Sequence, residues 1–191
     1  LDRGEDGAYR PLEASSGPAL PPGSRLLPAD VWNPFPKGEA YDPERHAAVD
    51  LVVYRPGSAG LRVLLRRGEN AWGEAPESPA LANVTPATVA ALDADHDGDL
   101  DLVVGGEAGL SLLLNEGDAR FRDASLEAGF SLASEPVTEL SFGDLDGDVA
   151  LDLLAVGPSG GRIWRGLRLG RFEPGELVPQ ARTGAIDGWT G

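Results

Sequence analysis

The sequence predicts an all-β fold, a partial β-propeller of about three four-stranded blades, and three observations predict it. Two Asp-rich runs, Asp93–Asp101 and Asp144–Asp152, recur 51 residues apart. Asp50 keeps the same interval, so Asp50-Leu51-Val52-Val53, Asp101-Leu102-Val103-Val104 and Asp152-Leu153-Leu154-Ala155 mark a constant period. A Gly-containing turn followed by an aromatic repeats as well: Gly4 to Tyr9, Gly68 to Trp72, Gly117 to Phe121, and Gly166 through Gly170 to Phe172. Periods of about 20–50 residues imply solenoids or propellers. A β-sandwich gives no reason for a fixed step.

The middle unit shows how one period divides. Thr88–Leu92 is the first strand and the acidic run is a tight connection. Leu100–Val104 is a second strand, whose continuous apolar character suits burial on both faces. Gly105-Gly106-Glu107-Ala108-Gly109 reads as a turn, Leu110–Leu114 as the third strand, Asn115-Glu116-Gly117-Asp118 as another turn, and Arg120–Asp123 as a short polar edge strand. Ala124–Pro136 links to the next unit. Four-stranded units in series are propeller blades. The divisions expected are 1–23, the end of a preceding blade; 24–80, a degenerate blade with an inserted loop; 81–133 and 134–180, blades with acidic loops at 93–101 and 144–152; and 181–191, the start of a further blade.

The first unit is irregular. Leu26-Leu27-Pro28-Ala29 reads as its inner strand and Asp30 as the start of its loop, but Asp50 then follows 12 residues later than the other loops allow. Trp32 stands where those loops have their second Asp, and Asn33-Pro34-Phe35-Pro36 opens the insertion. No metal is expected there. Trp32, Phe35 and Tyr41 either pack the enlarged loop or present a partner surface.

Composition sets the outer limits. The 191 residues are 41% hydrophobic, enough for a core. Gly 26 and Pro 16 suit a chain with many turns. The formal net charge of −15 disfavours nucleic-acid binding, which needs a basic surface. Cys is absent, which excludes disulfides and thiolate chemistry. No stretch approaches the ~18 apolar residues of a membrane-spanning helix, and no signal peptide is visible. Lys37 is the only Lys among 16 bases, which suggests a high-GC bacterial genome. The absence of Met leads to the expectation of a piece of a longer chain.

Both acidic loops place Asp at positions 1, 3, 5 and 9. Carboxylates at alternate positions repel unless a cation lies between them. Hard oxygen donors at this density suit Ca²⁺, which takes about 6–8 oxygens. An EF-hand needs a bidentate acid at position 12, where this chain has Val104 and Ala155. A pair of merely solvated turns does not explain the repetition.

At these residues the chain resembles the FG-GAP / VCBS repeat family, the calcium-bearing propellers of integrin α-subunits and many bacterial surface proteins. Ser141-Phe142-Gly143-Asp144 and Ala155-Val156-Gly157-Pro158 are similar to the two halves of the motif behind the family's name. Leu112–Asp123 followed by Glu127-Ala128-Gly129-Phe130 resembles bacterial repeats found beside ASPIC/UnbV domains. The resemblance covers about residues 24–175. It implies two Ca²⁺ sites: side-chain oxygens from Asp93, Asp95, Asp97 and Asp101 with the backbone carbonyl of Asp99, and from Asp144, Asp146, Asp148 and Asp152 with the carbonyl of Ala150. The family has Gly at position 6; Gly98 fits, whereas Val149 is β-branched and ill suited to a positive φ.

Catalytic chemistry has no candidate. His46 and His96 lack a Ser–His–acid set, and no Gly-rich phosphate loop is present. Arg162, Arg165, Arg168 and Arg171 read as a solvated charged edge or as a patch for an acidic partner. The expected function is non-catalytic: an extracellular or periplasmic Ca²⁺-binding module for protein interaction, adhesion or assembly. Its partners would be another protein or the remaining blades. The alternative is the propeller part of a polysaccharide lyase or a glycan-binding lectin, with Trp32 or Trp72 against sugar.

Overall fold

The computed structural model describes residues 2–3, 9–10, 19–32, 49–67, 71–130 and 135–178. The inserted loop with Phe35, Tyr41 and His46, and the segment expected to open a further blade, lie outside the described residues. A two-stranded ribbon pairs β1 (Asp2–Arg3) with β2 (Tyr9–Arg10), and the remaining strands form three four-stranded antiparallel sheets. Sheet 1 is β3 (Arg25–Ala29), β4 (Asp50–Tyr54), β5 (Leu61–Arg66) and β6 (Trp72–Glu74). A single helical turn, α1 (Pro79–Ala82), leads into sheet 2: β7 (Pro86–Leu92), β8 (Asp101–Gly106), β9 (Gly109–Asn115) and β10 (Phe121–Asp123). Sheet 3 is β11 (Glu139–Gly143), β12 (Asp152–Gly157), β13 (Gly160–Gly166) and β14 (Phe172–Val178). Each sheet is a meander in chain order, consistent with propeller-like blades.

The 51-residue step survives at atomic detail. Leu51 pairs with Leu64, Leu102 with Leu113, and Leu153 with Trp164. The first strands of successive sheets, β3, β7 and β11, are neighbours. Sheet 2 is therefore covered on both faces, and alternation divides its side chains. Leu102, Val104 and Leu113 join Val52, Val63 and Leu65 of sheet 1 in one core. Val103, Leu112 and Leu114 join Leu153, Ala155 and Trp164 of sheet 3 in another. This is why β8 is apolar at every position from Leu102 to Val104. Phe130 completes the second core, edge-on to Trp164 and stacked on Phe172 with ring centroids 5.4 and 5.1 Å apart.

Two expectations are corrected here. The turn read at residues 105–109 is shorter, because β8 runs on through Gly106 and β9 begins at Gly109. The four regularly spaced Arg do not share an edge. Arg162 and Arg165 belong to β13, an interior strand, while Arg168 and Arg171 lie in the turn beyond it. Arg165 occupies the register position of Leu65 and Leu114, but it is exposed where they are buried.

The linkers between sheets cross very close to the second strands. A Cβ on Gly106 would lie 2.2 Å from the Thr85 carbonyl oxygen, and one on Gly157 would lie 1.9 Å from that of Pro136. The two contacts are again one period apart. Gly106→Ala is expected to lower stability by about 3 kcal/mol through this backbone collision. Gly143→Ala, whose Cβ meets nothing within 4 Å, is the near-neutral control. Urea unfolding with an unchanged m-value would check both.

Candidate metal centre

Each sheet begins its second strand with a buried Asp: Asp50, Asp101 and Asp152, all 1% exposed or less. The role is the same three times. One carboxylate oxygen accepts the N–H at the end of the third strand, from Arg66, Asn115 and Gly166 at 2.8, 2.8 and 2.9 Å. The other accepts an N–H from the connecting loop, from Trp32, Ala94 and Leu145 at 3.0, 2.8 and 2.9 Å. Charge-assisted bonds of this kind contribute about 1.5–3 kcal/mol each.

In sheets 2 and 3 the loop adds further carboxylates around this Asp. Oxygens from Asp93, Asp95 and Asp101 all lie within 4.8 Å of one another, as do oxygens from Asp144, Asp146 and Asp152. Donors held at about 2.4 Å by one cation lie no more than about 4.8 Å apart, so both sets fit an oxygen-seeking divalent ion. Positions 1, 3 and 9 of each predicted set are thus brought together. Position 5 stands outside both clusters: Asp97 accepts the Asp99 N–H at 2.9 Å and Asp148 the Ala150 N–H at 2.8 Å, closing the turn at position 7.

The two loops are strained at different places. Positions 4 and 6 both have positive φ: 64° at His96 and 97° at Gly98, 84° at Gly147 and 73° at Val149. The sequence flagged position 6 only. His tolerates the left-handed region better than a β-branched residue does, so the first loop is the less strained of the two. It is also the more enclosed. Asp93 and Asp95 are half-buried, whereas Asp144 and Asp146 are exposed.

Enclosure raises the carboxyl pKa values. Burial pushes Asp101 up from 3.8 to about 7, with the charges of Asp95 and Asp97 adding to it and the Asn115 and Ala94 N–H groups opposing it. Asp95 is raised by burial and by Asp97 and Asp93. Asp50 is raised by burial, against its bonds from Arg66, Trp32 and Val31. A carboxyl cluster that resists ionisation is one that gains from a cation.

In sheet 1 an aromatic stands where the other loops have their second Asp. Trp32 fills position 3, and the Arg67 guanidinium lies 4.4 Å from its ring centroid. Trp72 carries Arg66 at 5.2 Å. Among the described residues no metal-type carboxylate cluster forms in this sheet.

Comparison with known proteins comes down to the same stretch. Residues 93–155 match the FG-GAP-like repeat. The match supports the FG-GAP family and spans the first acidic loop, sheet 2 beyond it, and the second loop into β12. This chain is also similar to a solved lectin from Agrocybe aegerita, described as recognising non-reducing terminal N-acetylglucosamine, with a TM-score of 0.50 at 20% identity. That likeness covers 82% of this chain and 38% of the lectin, and it bears on the fold alone. A comparison with curated proteins finds no match. Among the described residues no helix is long and apolar enough to cross a membrane.

Val149 is 75% exposed, so removing its side chain loses little packing. A left-handed non-Gly residue costs roughly 1–2 kcal/mol, part of which glycine returns as unfolded-state entropy. Val149→Gly is expected to raise stability by up to about 1 kcal/mol by thermal melting, and Gly98→Val to lower it. The raised Asp101 carboxyl also sets a pH dependence. It holds its proton more tightly folded than unfolded, so metal-free protein is favoured at low pH and loses that stability as pH climbs from about 4 to about 7. A melting temperature in EDTA that stayed flat or rose across this window would contradict the assignment.

Proposed function

We propose that the chain is a non-catalytic, Ca²⁺-stabilised β-propeller module whose acidic loops hold one ion each. The observation that carries this reading is the recurrence of a three-carboxylate cluster, built on a buried Asp, at one position in two successive sheets. Asp93, Asp95 and Asp101 would hold one ion, and Asp144, Asp146 and Asp152 the other. Asp97 and Asp148 are supporting donors, with the carbonyls of Asp99 and Ala150 completing the sets. The ion supplies positive charge that pins the first two strands of its sheet. An ion that binds only the folded chain stabilises it in proportion to the logarithm of its concentration once that exceeds Kd. Modules of the extracellular type bind with Kd on the order of 10⁻⁴–10⁻³ M, which suits an extracellular or periplasmic setting. The role is a scaffold for a protein partner or for further blades.

A glycan-binding role is the second reading, and the likeness to a GlcNAc-recognising lectin favours it. Against it, one face each of Trp32 and Trp72 already carries an arginine, Arg67 and Arg66.

Calorimetric titration of the full chain with Ca²⁺ is expected to show two sites and a rise in melting temperature. Asp95→Ala should abolish the first site and Asp146→Ala the second. Parent protein that gives neither heat nor a shift in melting temperature would defeat the metal reading, and GlcNAc binding on a glycan array would favour the lectin.

A further inference from the structure

Between β13 and β14 the chain turns through Arg168, Leu169 and Gly170, all with positive φ (65°, 52° and 70°). The corresponding turn of sheet 2, Gly117-Asp118-Ala119, has the same three left-handed residues (92°, 55° and 56°). The sheet 3 turn does not end at its own sheet. The Gly170 N–H donates to the Ala94 carbonyl at 2.9 Å, crossing from sheet 3 into the acidic loop of sheet 2. Ala94 lies between Asp93 and Asp95, and its own N–H is the donor to Asp101. One residue therefore ties three cluster carboxylates to the neighbouring sheet. The contact is close-packed too: a Cβ on Gly170 would stand 3.6 Å from the Asp95 Cβ and 3.6 Å from methyl groups of Leu112 and Leu114.

Two comparisons within the molecule isolate this contact. At the sheet 1–sheet 2 boundary the same loop position, Val31, gives its carbonyl to the buried Asn115 side chain at 2.7 Å. The second loop is the counter-example. Leu145, the counterpart of Ala94, is 57% exposed against 7%, and Asp144 and Asp146 are exposed where Asp93 and Asp95 are half-buried. The loops are alike in sequence, and they differ in what packs on them.

We propose that the 168–170 turn of sheet 3 is an external brace for the loop at 93–101, so that cation binding in that loop and the packing of sheet 3 on sheet 2 are thermodynamically linked. This rests on the metal reading above. Linkage is reciprocal: what the brace adds to affinity, the ion returns as protection of the inter-sheet contact.

The test uses the full chain carrying Asp144→Asn and Asp146→Asn, which silences the second loop. CaCl₂ is titrated by calorimetry, and exchange of the Gly170 and Phe172 amides is followed by NMR with and without it. Phe172 reports the same boundary, because its N–H donates to the Ala128 carbonyl of the linker at 2.9 Å. Saturating Ca²⁺ should slow both amides by about tenfold or more, and Gly170→Val should weaken Ca²⁺ binding by about fivefold or more. If that variant fails to fold, Gly170→Ala replaces it with a smaller shift in the same direction; Ala119 shows that the turn accepts a Cβ there. Ca²⁺ heat with unaltered exchange at both amides, or with parent affinity in a folded Gly170 variant, would overturn the linkage alone. The absence of any Ca²⁺ heat would overturn the metal reading, and the linkage with it.

Discussion

The structure hangs on a carboxylate that is buried but not isolated. Asp50, Asp101 and Asp152 each accept two backbone N–H groups, one from the end of the third strand and one from the loop that delivers the second. Without these oxygens, six backbone donors would lose their partners, at about 1–3 kcal/mol for each one that is buried. The bonds fix where the loop closes and where the third strand stops. They therefore set the length of each sheet. Burial makes the charge costly to keep, and the two Asp-rich loops gather more negative charge around it. Sheet 1 keeps the same clamp beside a stacked Arg67–Trp32 pair, so the clamp does not require an acidic loop.

Much of the fold was legible because the repeat writes itself three times. Asp50 marked sheet 1 even though its loop had lost the alternating carboxylates, since the backbone role of that Asp remains. The unbroken apolar run Leu102–Val104 announced a strand covered on both faces, and sheet 2 is that strand's sheet. Strand ends were less legible. Gly105 and Gly106 look like turn residues, yet they extend β8: the bare Gly106 lets the linker backbone approach, and the bare Gly105 makes room for the Val137 and Thr88 side chains. The Arg162–Arg171 series suggested an edge from its spacing, whereas the β13 boundary cuts it in two.

At the loops, spacing pointed to the carboxylates at positions 1, 3, 5 and 9, of which 1, 3 and 9 converge and 5 turns to the backbone instead. Positive φ at Val149 was legible from its place in the loop. The same conformation at His96 was not, because His tolerates it without a sequence signature. Enclosure was also invisible: Asp93 and Asp144 look equivalent in sequence and differ because sheet 3 leans on one and nothing described leans on the other. Tertiary contact, rather than local pattern, separates the two loops.

Arg165 carries a consequence for how such sheets recognise what stacks against them. Leu65 and Leu114 occupy its register position in the other sheets and disappear into the apolar cores between them. Those boundaries select a neighbour by volume and shape. A guanidinium in the same place cannot be buried against a plain hydrocarbon surface without a large desolvation penalty. The far face of sheet 3, with half-buried Leu154, Val156 and Ile163 beside it, is thus selective by charge as well. The apolar face that sheet 2 offers to sheet 1 is not matched to that surface, so the two ends of the stack present different chemistry.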